Sequence, residues 1–230
     1  MKYKWLFVFF ISLSSISYSQ ETAIALVQKL KAKMYLVNDY SASGRLKTDV
    51  AFLKVPVAKV NVYFKRPNKF RISKEKGISI LPKGGVSINM QDVLAGNDYL
   101  ALDAGAANLK GIPVRIIKIL PNNETGDVVL STIYVDEKKL LIQKITTTTR
   151  ENGSYDIELT YGKWGNYGLP DKTIFSFNTK DYKLPKGVTL EFDDGERPDA
   201  DRLKNKKGTV EITYDSYQVN KGIPDSYFKG

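Results

Sequence analysis

The side chains available for chemistry in this 230-residue chain are carboxylates, lysines, arginines, tyrosines and hydroxyls, because it contains neither histidine nor cysteine. Histidine is the usual general base near neutral pH and the commonest metal ligand, and cysteine supplies thiolate nucleophiles and disulfides. Ser-His-Asp, Cys-His and zinc-thiolate chemistries are therefore excluded. The densest run of carboxylates comprises Asp193, Asp194, Glu196, Asp199 and Asp201. These supply enough oxygen ligands for calcium, but without the alternating Asp-x-Asp-x-Asp-Gly spacing of a calcium loop they read as a solvated acidic loop. No Asp/Glu pair stands in a setting that would raise one carboxyl pKa, as glycoside hydrolysis requires. Asn123-Glu124-Thr125 and Asn152-Gly153-Ser154 fit glycosylation sequons, the second being explained by a hairpin turn. No catalytic residue, metal ligand or cofactor site is assigned, and the expectation is a binding protein.

The segment best suited to binding is VNVYFKRPNKFRIS, Val60 to Ser73. Val62 and Phe64 alternate with Tyr63 and Lys65, Phe70 and Ile72 repeat the alternation, and Lys65-Arg66-Pro67-Asn68 supplies a turn between them. This predicts a hairpin with one apolar face and a charged tip. A second alternating run, Tyr155, Ile157, Leu159 and Tyr161, follows the hairpin signal Asn152-Gly153. These eight side chains are the candidate wall of an apolar site.

Further elements must carry those runs. Ala23, Leu26, Val27, Leu30, Met34 and Val37 recur at three- and four-residue spacings and predict an amphipathic helix from Glu21 to Asn38. Period-two alternation from Ser43 through Leu46, Thr48, Val50 and Phe52 predicts a strand leading into the hairpin. Strands are also read at Tyr99 to Asp103, Val114 to Leu120, Val128 to Val135, Leu140 to Thr149, Thr173 to Phe177, Val188 to Phe192 and Thr209 to Tyr214, with a helical turn at Ala104 to Lys110. The glycine-spaced stretch between Glu75 and Lys110 is the candidate lid. The sum is a mainly β, α+β domain of about nine to eleven antiparallel strands, and a sheet of that size must curl or close. An N-terminal helix and a lid would cover its concave face, with an apolar cavity between them.

The first residues combine a basic start (Lys2, Lys4), an apolar core from Trp5 to Leu13 and a small-residue exit at Ser17-Tyr18-Ser19. That pattern predicts a secretory signal peptide over residues 1–19, a single domain over 20–230 and a periplasmic location. The formal net charge of +10 falls by two, to +8, once Lys2 and Lys4 are removed. A basic exported protein has no access to nucleic acid, and its charge suits anionic headgroups, acidic glycans or an acidic protein patch. About 210 mature residues bury roughly 70% of their unfolded surface, enough for a core without disulfides.

Three segments resemble the LolA/LolB-like family of outer membrane lipoprotein carriers and its relatives, the lipoprotein-sorting proteins. They are the N-terminal helix followed by VNVYFKRPNKFRIS, the turn and strand Gly96-Asn97-Asp98-Tyr99-Leu100-Ala101-Leu102, and the final VEITYDSYQVNKGIPDSYF from Val210 to Phe228. The resemblance implies an unclosed antiparallel barrel whose cavity accepts acyl chains, with a lid held shut by the arginine of the Lys-Arg-Pro turn, here Arg66. It implies a soluble monomeric carrier of lipid or acylated lipoprotein, with envelope membrane proteins as donor and acceptor. The alternative is a sensor or adaptor on the same fold that binds a membrane-protein partner and lipidated ligands. The enlarged region Lys74 to Met90 and the insertion Asp193 to Lys207 depart from the family pattern and bear on the cargo.

Overall fold

A computed structural model describes residues 21–49, 57–74, 98–123, 126–150, 153–178 and 207–228. The expected signal peptide, most of the candidate lid, the Val188 to Phe192 strand and the acidic loop lie outside these residues.

The helix α1 runs from Ala23 to Met34. Thr22 caps it, its hydroxyl accepting the Ala25 N–H at 3.3 Å, and Lys31 and Lys33 place cations in the last turn, where the helix dipole favours them. Ala23, Leu26, Val27 and Leu30 form its buried face, and each buried leucine or valine contributes about 1.5–3 kcal/mol. The helix stops four residues short of the expected Asn38. Its last turn tightens into i to i−3 bonds from Leu36 to Lys33 and from Val37 to Met34. The Asn220 side chain then donates to the Leu36 carbonyl at 2.8 Å and accepts the Asn38 N–H at 2.7 Å. A distant side chain thus captures the chain before it completes another turn, and Val37 is left in the core of the neighbouring strands.

Ten strands follow: β1 (Asp39–Asp49), β2 (Ala58–Lys65), β3 (Lys69–Lys74), β4 (Tyr99–Leu109), β5 (Ile112–Pro121), β6 (Val128–Asp136), β7 (Leu141–Thr149), β8 (Ser154–Thr160), β9 (Lys172–Asn178) and β10 (Lys207–Val219). They form one antiparallel sheet in the order β3-β2-β1-β10-β9-β8-β7-β6-β5-β4. Two meanders, β1 to β3 and β4 to β9, are joined by β10, which pairs with β1 on one side and β9 on the other. Among the described residues β3 and β4 each have a strand on one side only, so the sheet is not closed.

The expected helical turn at Ala104 to Lys110 is strand. Lys110 and Gly111 both take positive φ, 52° and 87°, which is the geometry of a two-residue hairpin turn whose twist matches paired strands. The turn registers Leu109 against Ile112 and keeps β4 extended along β5. β4 is interrupted only by a bulge between Asp103 and Ala106, where Gly105 has φ 89° and donates its N–H to the Asp103 carboxylate at 2.9 Å. β1 begins at Asp39, before the expected Ser43, and β10 continues to Val219, past the expected Tyr214. The two strands pair over this added length, Tyr40 standing opposite Val219.

Candidate functional site

Strand register places the candidate wall on one surface. Phe70 stands opposite Phe64, and Ile72 opposite Val62. Farther round the sheet Tyr155 stands opposite Phe177, and Ile157 opposite Phe175. Paired residues share a face and so do residues two apart. Tracing the pairs from β3 through β1, β10 and β9 to β8 puts all eight predicted side chains on the face that α1 covers. Val62, Phe64 and Ile157 have no solvent exposure and Leu159 is buried, while Phe70, Ile72, Tyr155 and Tyr161 are half-buried or lie at its rim.

The eight do not form one cluster. Ile157 and Leu159 pack with Leu26, Val27 and Leu30 of α1 and with Ile117, Ile133, Ile145 and Phe175, and Tyr155 and Tyr161 border them. Val62 and Phe64 pack with Leu46, Ile212 and Tyr217, bordered by Phe70 and Ile72. Val210 on β10 touches both groups. Two tyrosines at this face turn their hydroxyls onto backbone, Tyr161 donating to the Ile142 carbonyl and Tyr217 to the Pro170 carbonyl, each at 2.8 Å, while the buried Tyr99 hydroxyl has no hydrogen-bond partner among the described residues. Burial raises the pKa of Tyr161 and Tyr217, and it pushes Tyr214 up to about 12, so these three are neutral at physiological pH. The surface offers alkyl groups and rings, which suits it to hold apolar material.

The helix that covers this surface is tied at both ends. At its N-terminal end Arg115 of β5, only 4% exposed, donates to the Glu21 carbonyl and pairs with Asp103 and Glu137. The hydrogen bond from Arg115, then that from the Gly105 N–H, holds the Asp103 carboxyl below its ordinary range. At the other end Arg66, in the β2–β3 turn, donates to the Tyr35 carbonyl at 3.0 Å and lies 4.1 Å from the centre of the Tyr35 ring. Its own N–H bonds to the Asn38 carbonyl at 2.9 Å. So α1, about 18 Å long, bridges from the β4–β5 side of the sheet to the β2–β3 side. Along the way Lys31 is buried with its ammonium 5.5 Å from the Tyr99 ring centre, and desolvation lowers its pKa.

Between the C-terminal half of α1 and the β6–β7 turn lies a small, half-open cleft of about 10 Å³, room for about one water molecule, lined by Leu30, Met34, Leu140, Ile142 and Tyr161 among others. Lys33 closes one side by donating to the Lys139 carbonyl at 2.6 Å.

This geometry has known counterparts. No protein-family model matches the sequence and no curated protein matches it, but its fold recurs in solved structures. A putative outer membrane lipoprotein-sorting protein domain from Vibrio parahaemolyticus superposes with a TM-score of 0.57 at 9% identity, over 90% of this chain and 96% of that one. A LolA superfamily protein from Nitrosomonas europaea superposes with a TM-score of 0.52 at 9% identity, over 92% and 99%. This chain has the LolA-like fold. A protein of the DUF1329 family from Desulfovibrio piger shares it as well, with a TM-score of 0.55 at 14% identity over 89% and 94%.

Within the LolA-like frame, Arg66 sits where sequence reasoning placed it, at the turn, and contacts the end of the covering helix. Arg115 and Asn220 escaped that reasoning. The legible signal for Arg115 was phase, since it falls in step with Ile117 and Ile119 on the inward side of β5. For Asn220 it was the Asn-Lys-Gly sequence, in which Asn220 takes a φ of 55°.

Proposed function

We propose that this protein is a periplasmic carrier that takes up acyl chains of a lipid or lipidated protein between α1 and the inner face of the sheet and delivers them toward the outer membrane. The supporting observation is an apolar face running from β3 to β5 in two clusters bridged by Val210, the cluster on the β5 to β9 side lying under a single helix whose ends are held by side-chain bonds to carbonyls. The Arg66 bond is exposed and exchanges readily, so the C-terminal end of the helix can lift from the sheet without breaking any strand pairing. Cargo enters beside Met34 and Tyr161, where the small cleft widens as the end of α1 lifts. Arg66 releases the C-terminal end of α1, Tyr155, Ile157, Leu159 and Tyr161 then meet the chains, and Val62, Phe64, Phe70 and Ile72 extend the same sheet face toward β3.

Transfer needs no catalyst. Each buried methylene contributes about 0.8 kcal/mol, so a few acyl chains supply ample affinity. Release is driven by return of α1 to the same surface, since helix and cargo compete for it. Envelope membrane proteins serve as donor and acceptor. Native mass spectrometry of the purified protein, with titration by a fluorescent fatty acid, tests this reading: co-purifying lipid or saturable binding is expected, and a protein that shows neither refutes it.

A further inference from the structure

Residues 35–39, 65–71 and 220–228 meet at one corner of the molecule. Asn220 bonds to Leu36 and Asn38, Arg66 bonds to Tyr35, and Lys65 donates to the Ile223 carbonyl at 2.9 Å. Lys65 and Lys69 grip Asp225 at 2.7 Å each. Arg71 donates to the Tyr227 carbonyl at 3.1 Å, and the Tyr63 and Tyr227 rings lie 4.8 Å apart.

The corner has two properties together. Its charges are five cations, Lys65, Arg66, Lys69, Arg71 and Lys221, against two carboxylates, Asp39 and Asp225. Asp39 is only 9% exposed and accepts the Gly222 N–H, and Asp225 is shared between two lysines, so the outward field is positive. Three large apolar side chains stand exposed among these cations: Tyr35 at 50%, Leu36 at 55% and Tyr227 at 47%. Amphipathic rings beside flexible cations suit the headgroup layer of a bilayer, where the ring and the alkyl stem sink while the charge meets phosphate.

We propose that this corner docks the protein on the anionic headgroup surface of a phospholipid membrane. An acidic protein partner would satisfy the cations but leave the exposed Tyr35, Leu36 and Tyr227 to be matched by a complementary apolar surface among those same charges. A bilayer satisfies both with no matching shape. The corner includes the end of α1 that Arg66 holds, so docking presents the covering helix to the membrane. The inference goes beyond the carrier reading and does not depend on it.

Flotation of the mature full-length protein with phosphatidylcholine vesicles, with or without about one-third phosphatidylglycerol, tests the proposal. Binding is expected to the anionic vesicles only and should vanish at about 0.5 M salt, where charge is screened within a few Å. Each of Lys69→Gln and Lys221→Gln should weaken partitioning about fivefold, and Leu36→Ser should weaken it further. Lys118→Gln, on the exposed outer side of β5, should leave it unchanged. Equal binding to neutral vesicles, no binding to anionic ones, or a Lys118→Gln effect as large as that of Lys69→Gln would overturn the proposal. The fatty-acid titration contains no vesicles, so either reading can fail alone.

Discussion

Replacing Arg66 by alanine removes two contacts with Tyr35, the hydrogen bond to its carbonyl and the stack on its ring. A charged donor to a carbonyl is worth about 1 kcal/mol at an exposed position, and an exposed cation–ring contact about 0.5–1 kcal/mol. The closed position of the α1 C-terminus should therefore weaken by about 1.5–2 kcal/mol, a factor of about 10–30 in its opening equilibrium. The bond from the Arg66 N–H to Asn38 is main-chain and survives, so the hairpin stays in place. Native-state hydrogen exchange reads this directly. Amides of Leu30 to Val37 should exchange about 10–30 times faster in the variant, while those of β6 to β9 keep their wild-type rates. Release of a bound fluorescent fatty acid should accelerate in parallel. Unchanged exchange in α1 would remove Arg66 from the closure, and a uniform rise across the sheet would show that it supports the whole domain instead.

Arg115→Ala should behave differently, because it strands Asp103 beside a buried site and frees Glu21. A loss of about 2–3 kcal/mol in global stability by urea denaturation is expected, at the low end for buried pairs because both carboxylates are partly exposed. Asp225 titrates at about 2 because of its bond to Lys65 and then that to Lys69, against an ordinary 3.8. Its contribution to holding the C-terminal turn is thus complete above pH 4 and disappears as pH falls toward 2, which carboxyl NMR of Asp225 and amide exchange at Tyr227 would follow; a midpoint near 4 would contradict it. Gly44→Ala places a Cβ against the Thr213 carbonyl of β10, and a loss of about 1–3 kcal/mol with a lower melting temperature is expected.

The parts of the fold that the sequence displays are those set by neighbours along the chain. The β2–β3 hairpin and β8 follow from alternation beside Pro67-Asn68 and Gly153, local signals that tertiary packing did not override. The error at Ala104 to Lys110 arose where alanine and asparagine favour no strand, and pairing with β5 decided the matter. The helix end was set by Asn220, far along the chain. Which face lies inward depends on how the sheet curls, a property of ten strands together, so the eight wall residues could be listed but not oriented. Their division into two clusters bridged by Val210 was equally hidden, because it follows from the insertion of β10 between β1 and β9.

That insertion also imposes an order in time. During synthesis β1, β2 and β3 appear first, yet the neighbour that links them to the other strands, β10, is made after β9. Until then the exposed flank of β1 and that of β9 are two open edges carrying the apolar residues that later form a single surface. Sheet completion must wait for a long-range pairing, which is slow to close. The two meanders can therefore pair internally early on, but they join into one sheet only when β10 arrives, an interval that leaves both open edges vulnerable to aggregation if it lingers.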